Sequence, residues 1–195
     1  MKKSNISELQ SSGVTVVDFI TPGECGCIIA EARTKGLTRA ADVFGKRKVR
    51  QNFYEAELSF DLCPNLLAIT QKLETYLIHA ITHLVGTYCF NPNLTFTEAR
   101  VHQYMSGDGL EYHSDSSYYK NLVVSVLLQG EGSFYIADDF LGTNERKLEA
   151  SVGQAVLIAA PGLFGKQLQP PHKVFNDTEW ERWSLGLRQL VRPRQ

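Results

Sequence analysis

The chain of 195 residues carries 20 Lys plus Arg against 21 Asp plus Glu, a net charge of −1. That balance excludes the generally basic surface that attracts nucleic acid or anionic membranes. With 43% hydrophobic and 21% charged residues, a single domain over 1–195 can bury its apolar surface without disulfides or a structural metal, so any metal here serves chemistry.

Met1 to Gln10 holds two lysines but no apolar h-region and does not read as a secretory signal. No apolar run approaches a membrane span, and the expectation is a soluble, cytoplasmic protein. Gly13 to Ile20 (GVTVVDFI) is rich in β-branched residues and predicts a first strand. Thr21-Pro22-Gly23-Glu24 supplies an N-cap, a proline at the first helical position and a glutamate three residues on, predicting a helix from about Pro22 to Thr34. Cys25 and Cys27 fall inside it, where C-x-C spacing points side chains apart. With Cys63 and Cys89 they form no CxxC or zinc pattern, which predicts reduced, mostly buried thiols.

Residues 35–64 are mixed. The basic run Lys46-Arg47-Lys48-Val49-Arg50 is followed by Gln51 to Phe60, either a strand or a partly ordered lid. Asn65 to Val85 places Leu66, Ile69, Leu73, Leu77, Ile81 and Leu84 at three-to-four spacing, a long amphipathic helix ending near Gly86. After Pro92 the character changes. Leu94 to Tyr104, Leu122 to Leu128, Ser133 to Ala137, Lys147 to Ala150, Gln154 to Ala159, His172 to Phe175 and Arg182 to Leu190 are strand-like and separated by turn residues. The class is α+β: a double-stranded β-helix (jelly roll, cupin-like) with N-terminal helices packed outside. Helical support would occupy about 1–92 and the jelly-roll core about 93–192. Gly162 to Pro171 reads as a loop of the barrel, and no repeat or linker interrupts the chain.

The chemistry-bearing residues sit in this second half. Residues i and i+2 of an extended chain project to one side, so His113 and Asp115 can converge on one metal while Ser114 points away. A third ligand must come from elsewhere, and the chain has five histidines. His79 and His83 stand four apart in HAITH, a spacing that can bind metal, but it lacks the Glu of HExxH and reads rather as partly buried or surface histidines. His102 shares a strand face with Tyr104. His172 follows Pro170-Pro171 and opens an apolar strand. Two imidazoles and one carboxylate form the set that holds ferrous iron on one face and leaves other positions open.

The ordered series makes a resemblance specific. Gly107 and Gly109 precede His113, a Val/Leu-rich strand and a turn at Gly130 and Gly132 follow, and His172 and Arg182 close the series. VHQYMSGDGLEYHSD, NLVVSVLLQGEGSFYI, ASVGQAVLIAAPG, PPHKVF and RWSLGLR resemble successive segments of the Fe(II)/2-oxoglutarate-dependent oxygenase superfamily over about residues 95–190. The TPGEC helix opening is similar to that of prolyl-hydroxylase-like members. The resemblance implies an enzyme, a dioxygenase, with His113, Asp115 and His172 as iron ligands. Arg182 would grip the far carboxylate of 2-oxoglutarate, Ser184 would complete an Arg-x-Ser pattern, and Tyr104 would hydrogen-bond the cosubstrate. The implied cofactors are Fe(II), 2-oxoglutarate and O2, with ascorbate as a candidate reductant. The retained Asp115 makes hydroxylation the default and disfavours halogenation; desaturation, cyclisation and demethylation share the same iron set.

The chain departs from the prolyl-hydroxylase branch by having Arg182 where lysine is usual. Arg182-x-Ser184-x-Gly186-x-Arg188 is also spaced like the RxNxTxR ending of AlkB-like nucleic-acid demethylases, with Ser and Gly in place of Asn and Thr. Arg188 would then join Arg182 at the cosubstrate, or serve as a surface or salt-bridged arginine near the C-terminus. For substrate, Phe44 to Tyr54 and Ser116 to Lys120 are candidate contacts, with Tyr118 and Tyr119 over the pocket and Lys48 or Arg50 pairing a carboxylate. The leading expectation is a small molecule such as an amino acid or biosynthetic metabolite. Peptide side-chain hydroxylation, nucleic-acid demethylation and a non-catalytic binding protein are the alternatives. Neither substrate identity nor oligomeric state is readable from these residues.

Overall fold

The computed structural model describes residues 1–45, 47–86, 89–90, 93–131 and 133–191. Lys46 of the basic run, Pro92 and Gly132 of the glycine turn lie outside them. The helices are α1 (Lys3–Ser12), α2 (Pro22–Lys35) and α3 (Pro64–Val85). The strands are β1 (Val14–Asp18), β2 (Thr38–Arg39), β3 (Val43–Phe44), β4 (Val49–Asn52), β5 (Tyr54–Leu58), β6 (Glu98–Tyr104), β7 (Gly109–His113), β8 (Tyr119–Gln129), β9 (Ser133–Ile136), β10 (Arg146–Leu148), β11 (Gln154–Ala159), β12 (His172–Phe175) and β13 (Arg182–Leu190).

Two antiparallel sheets result. One has seven strands in the order β1-β11-β8-β13-β6-β5-β2, the other six in the order β10-β9-β12-β7-β4-β3. The first ninety or so residues are therefore more than helical support. β1 pairs with β11, β5 with β6, and β4 with β7, so the N-terminal half completes both sheets.

α2 forms as its opening residues dictate. Thr21 Oγ1 accepts from Glu24 N at 3.3 Å while Thr21 N donates to the Glu24 carboxylate at 2.7 Å. This backbone bond, with the Lys72 ammonium beside it, holds the Glu24 carboxyl down at about 2. α1 was not expected, because its serine-rich sequence buries only Ile6 and Leu9 and shows no helical apolar period. It ends at Gly13, whose φ of 77° suits a left-handed C-cap, so the first strand starts one residue later than the β-branched run suggests.

Two cores lie on either side of the seven-stranded sheet. Leu9, Ile28, Leu66, Leu73 and Leu77 of the helices pack on Val101, Val124, Leu157, Leu185 and Leu187 of the sheet. Between the sheets lie Phe53, Tyr104, Val123, Phe134, Ile136, Ile158 and Val174. β13 is buried along nearly all of its length. Leu185 and Leu187 face the helices, and by strand alternation Arg182, Ser184, Gly186 and Arg188 face the gap between the sheets. An alternation that usually separates core from solvent here separates core from site.

Candidate metal centre

His113 and His172 are direct Cα partners across β7 and β12, and their ring centroids lie 4.2 Å apart. Asp115 follows two residues past the end of β7. One ligand atom from each of His113, Asp115 and His172 falls within 4.8 Å of the others. His113 and His172 are buried, 7% and 4% exposed. The i, i+2 spacing supplies the first two groups, and a register shift between His172 and Val174 sets how the third faces them.

Each imidazole is oriented from behind. His113 Nδ1–H donates to the Glu111 carbonyl at 2.9 Å, and His172 Nδ1–H donates to the Pro170 carbonyl at 3.0 Å. In the neutral ring this hydrogen bond fixes the tautomer that turns the Nε2 lone pair to the shared space. His172 Nε2 stands 3.4 Å from Asp115 Oδ2, and that oxygen is buried without a hydrogen-bond partner. Two acceptors facing each other in a buried space are unfavourable until a cation joins them. Burial, with His172 alongside, pushes the His113 imidazole down to about 3, so it stays neutral and available as a ligand. Phe134 stacks on His172 at 5.4 Å, Phe44 meets the His113 ring edge-on at 5.9 Å, and Gln169 Nε2 donates to the Asp115 carbonyl at 3.1 Å. The donor set fits a divalent transition metal.

Arg182 is 3% exposed, and its Nε and NH1 are buried without hydrogen-bond partners. Its guanidinium lies over the Tyr104 ring, with Cζ 5.3 Å from the centroid. Burial lowers the Arg182 pKa and pushes the Tyr104 hydroxyl up to about 12, the two arginines nearby opposing the latter. A buried cation with unmet donors calls for an anion that forks onto it. Ser184 and Tyr104 line the same small cavity as the metal-site residues, about 40 Å³ in volume. His102 lines it too. Burial, and then Arg188, Arg100 and Arg182 around it, keep the His102 pKa well below the usual range, so it is neutral; it does not belong to the cluster of His113, Asp115 and His172.

His79 and His83 are exposed on α3 with their rings 6.1 Å apart, and they take no part in this cluster. Arg188 is neither at the surface nor unpaired: its NH1 lies 3.5 Å from Glu98 Oε1 and its Nε 3.8 Å from Asp115 Oδ1. Tyr118 is 59% exposed, whereas Tyr119 is buried and its hydroxyl donates to Glu98 at 2.9 Å. Gln51 to Phe60 forms two strands, β4 and β5, parted at the buried Phe53. Lys48 and Arg50 are exposed, with Lys48 in a turn at φ 52°. Arg50 lines a larger cavity of about 760 Å³ along β4, β7 and β12, which shares Leu110 and Val174 with the metal cavity but contains none of the three ligand residues. Glu98, Gly186 and Phe134 were missed from sequence; only the face that Glu98 shares with His102 and Tyr104 pointed to it.

No protein-family model matches the chain, and no curated protein does. Solved structures do. A prolyl-4-hydroxylase from Pseudomonas putida aligns at TM-score 0.70 and 16% identity, covering 99% of this chain and 100% of that one. An oxidoreductase of the 2OG-Fe(II) oxygenase family from Burkholderia pseudomallei aligns at 0.70 and 12%, covering 96% and 90%. The non-heme α-ketoglutarate-dependent carbocyclase SnoK from nogalamycin biosynthesis aligns at 0.67 and 11%, covering 97% and 84%. At these identities the likeness is one of fold: this chain has the fold shared by these 2-oxoglutarate oxygenases. Among the described residues, no helix is long and apolar enough to cross a membrane.

Proposed function

We propose that this chain is an Fe(II)- and 2-oxoglutarate-dependent oxygenase that hydroxylates or otherwise oxidises a small molecule, on a double-stranded β-helix formed by its two sheets. The observation that carries the reading is the meeting of His113, Asp115 and His172 from separate elements, with lone pairs turned inward and Asp115 Oδ2 unpartnered.

His113 and His172 would hold the metal through Nε2 and Asp115 through a carboxylate oxygen. When bound, iron with 2-oxoglutarate and O2 supplies the oxidising power, with succinate and carbon dioxide as coproducts. Arg182 would take the far carboxylate of 2-oxoglutarate: its fork stays charged, matches a carboxylate and has no anionic partner among the described residues. Ser184 and Tyr104 line the cavity beside it and can add hydroxyl bonds. Arg188 lines the metal cavity and Arg182 does not, but Arg188 stands beside the Glu98 and Asp115 carboxylates whereas Arg182 has two unmet nitrogens, and on that contrast the cosubstrate is assigned to Arg182. Phe134 and Val174 keep the interior apolar on the opposite wall.

The narrow metal cavity, about 40 Å³, favours a small substrate over a polymer. Peptide hydroxylation is the second reading, favoured by the roomy cavity along β4, β7 and β12 and by full-length likeness to a prolyl-4-hydroxylase. Net charge −1 and the engagement of Arg188 weigh against nucleic acid. The test is succinate release with Fe(II) and 2-oxoglutarate in the presence of free amino acids, prolyl peptides or methylated oligonucleotides. Stimulation by an amino acid supports the leading reading, and stimulation by peptide alone replaces it with the second.

A further inference from the structure

The Arg188 side chain is built into its place. Across β13 and β6 its Cα partner is Glu98, and Glu98 Oε1 lies 2.9 Å from Tyr119 Oη, 3.4 Å from Arg100 Nε and 3.5 Å from Arg188 NH1. The Arg188 guanidinium lies over the Tyr119 ring, Cζ 5.5 Å from the centroid. It also folds back along its own strand. A Cβ at Gly186 would stand 3.2 Å from NH1, 3.3 Å from NH2 and 3.4 Å from Cζ, so the absence of a side chain at 186 gives the guanidinium its room.

From there Nε sits 3.8 Å from Asp115 Oδ1, a charge contact too long for a hydrogen bond, while Asp115 Oδ2 lies 3.4 Å from His172 Nε2; neither Nε nor Oδ2 has a hydrogen-bond partner. The two carboxylate oxygens are thus in different surroundings, one beside a fixed cation and one in the ligand cluster. We propose that Arg188 is a positioning residue: braced by Glu98 and Tyr119, it sets its charge beside Oδ1 and so presents Asp115 to the metal through Oδ2. This rests on the metal-centre reading above. A carboxylate free at both oxygens can chelate, and chelation takes a coordination position that cosubstrate or water needs. The guanidinium's charge at Oδ1 opposes that.

The test uses Mn(II) as the probe, with water-proton relaxivity reporting water on the bound metal and calorimetry reporting 2-oxoglutarate binding to the loaded protein. Wild type is compared with Arg188→Lys, Arg188→Met and the double variant Glu98→Gln/Arg188→Met. The double variant leaves no unpaired charge from the buried Glu98–Arg188 pair and carries the test if the single Met variant does not fold. The Met variants are expected to retain Mn(II), lose one bound water and bind 2-oxoglutarate roughly tenfold more weakly. Arg188→Lys, which keeps the charge, should restore the wild-type relaxivity. Met variants that keep wild-type relaxivity, or that lose the metal, overturn the role of Arg188 and leave the metal centre standing. A wild-type chain that takes no Mn(II) overturns both.

Discussion

Arg182 and Tyr104 are Cα partners across β13 and β6, and the guanidinium of one rests on the ring of the other, both almost fully buried. A cation held this way, with two of its nitrogens unmet, is better suited to binding than to stability. Arg182→Met should therefore raise the dissociation constant for 2-oxoglutarate in the metal-loaded protein by at least tenfold, from a loss of about 2–5 kcal/mol. Unfolding of the metal-free variant should show little or no loss of stability, since no anionic partner is stranded. Calorimetry and denaturation check the two halves. An unchanged dissociation constant would move the cosubstrate carboxylate to another group.

Acid should weaken the metal-free fold earlier than its carboxylates explain. His113 is held down to about 3 by burial, below the ordinary histidine value of 6.5, and His102 is lowered for the same reason. A folded pKa below the unfolded one gives stability that is complete above about 6.5 and is lost as pH falls towards 3. Between pH 7 and 5 the contribution from His113 alone falls by at most about 2 kcal/mol. Urea denaturation at the two pH values measures this, and the slope should be shallower in His113→Asn.

The cap of α2 gives a prediction remote from the site. Thr21 and Glu24 satisfy each other's backbone donors at the start of a helix that packs Ile28 and Ala32 into the core. Thr21→Ala should cost about 1 kcal/mol and lower the melting temperature by about 2–4 °C. Activity at saturating cosubstrate should be unchanged at temperatures where the variant is folded.

Gly153 lies in the turn before β11 and packs against the segment between β1 and α2. Its φ is 88°, and an added Cβ would collide with the Ile20 carbonyl oxygen. Its amide donates to Leu127 O at 2.8 Å and its carbonyl accepts from Ile20 N at 3.0 Å, so the backbone has little freedom to shift. Gly153→Ala should destabilise by at least about 2 kcal/mol. Denaturation midpoints indistinguishable from wild type would show that the turn relaxes.

How far the sequence reached differs by element. α2 and α3 were legible because a capping box and a three-to-four apolar period are local signals. α1 was not, since two buried residues make no period. His113 and Asp115 could be paired from i, i+2 spacing, but the partnership of His172 with His113 depends on β12 lying between β7 and β9, a long-range pairing that spacing does not fix. Tyr118 and Tyr119 looked interchangeable until β8 assigned one to solvent and the other to Glu98. The ion pair of Arg188 with Glu98 joins residues 90 positions apart, and nothing near either one announces it.

The central claim is that three side chains from separate parts of the chain hold one metal to which 2-oxoglutarate then binds. An anaerobic titration tests it: Fe(II) into the wild-type chain and into Asp115→Ala, each followed by 2-oxoglutarate. The account predicts one Fe(II) per wild-type chain, 2-oxoglutarate binding that depends on that metal, and loss of both in Asp115→Ala with the fold intact by circular dichroism. Metal-independent binding of 2-oxoglutarate, or full Fe(II) uptake by Asp115→Ala, would contradict it.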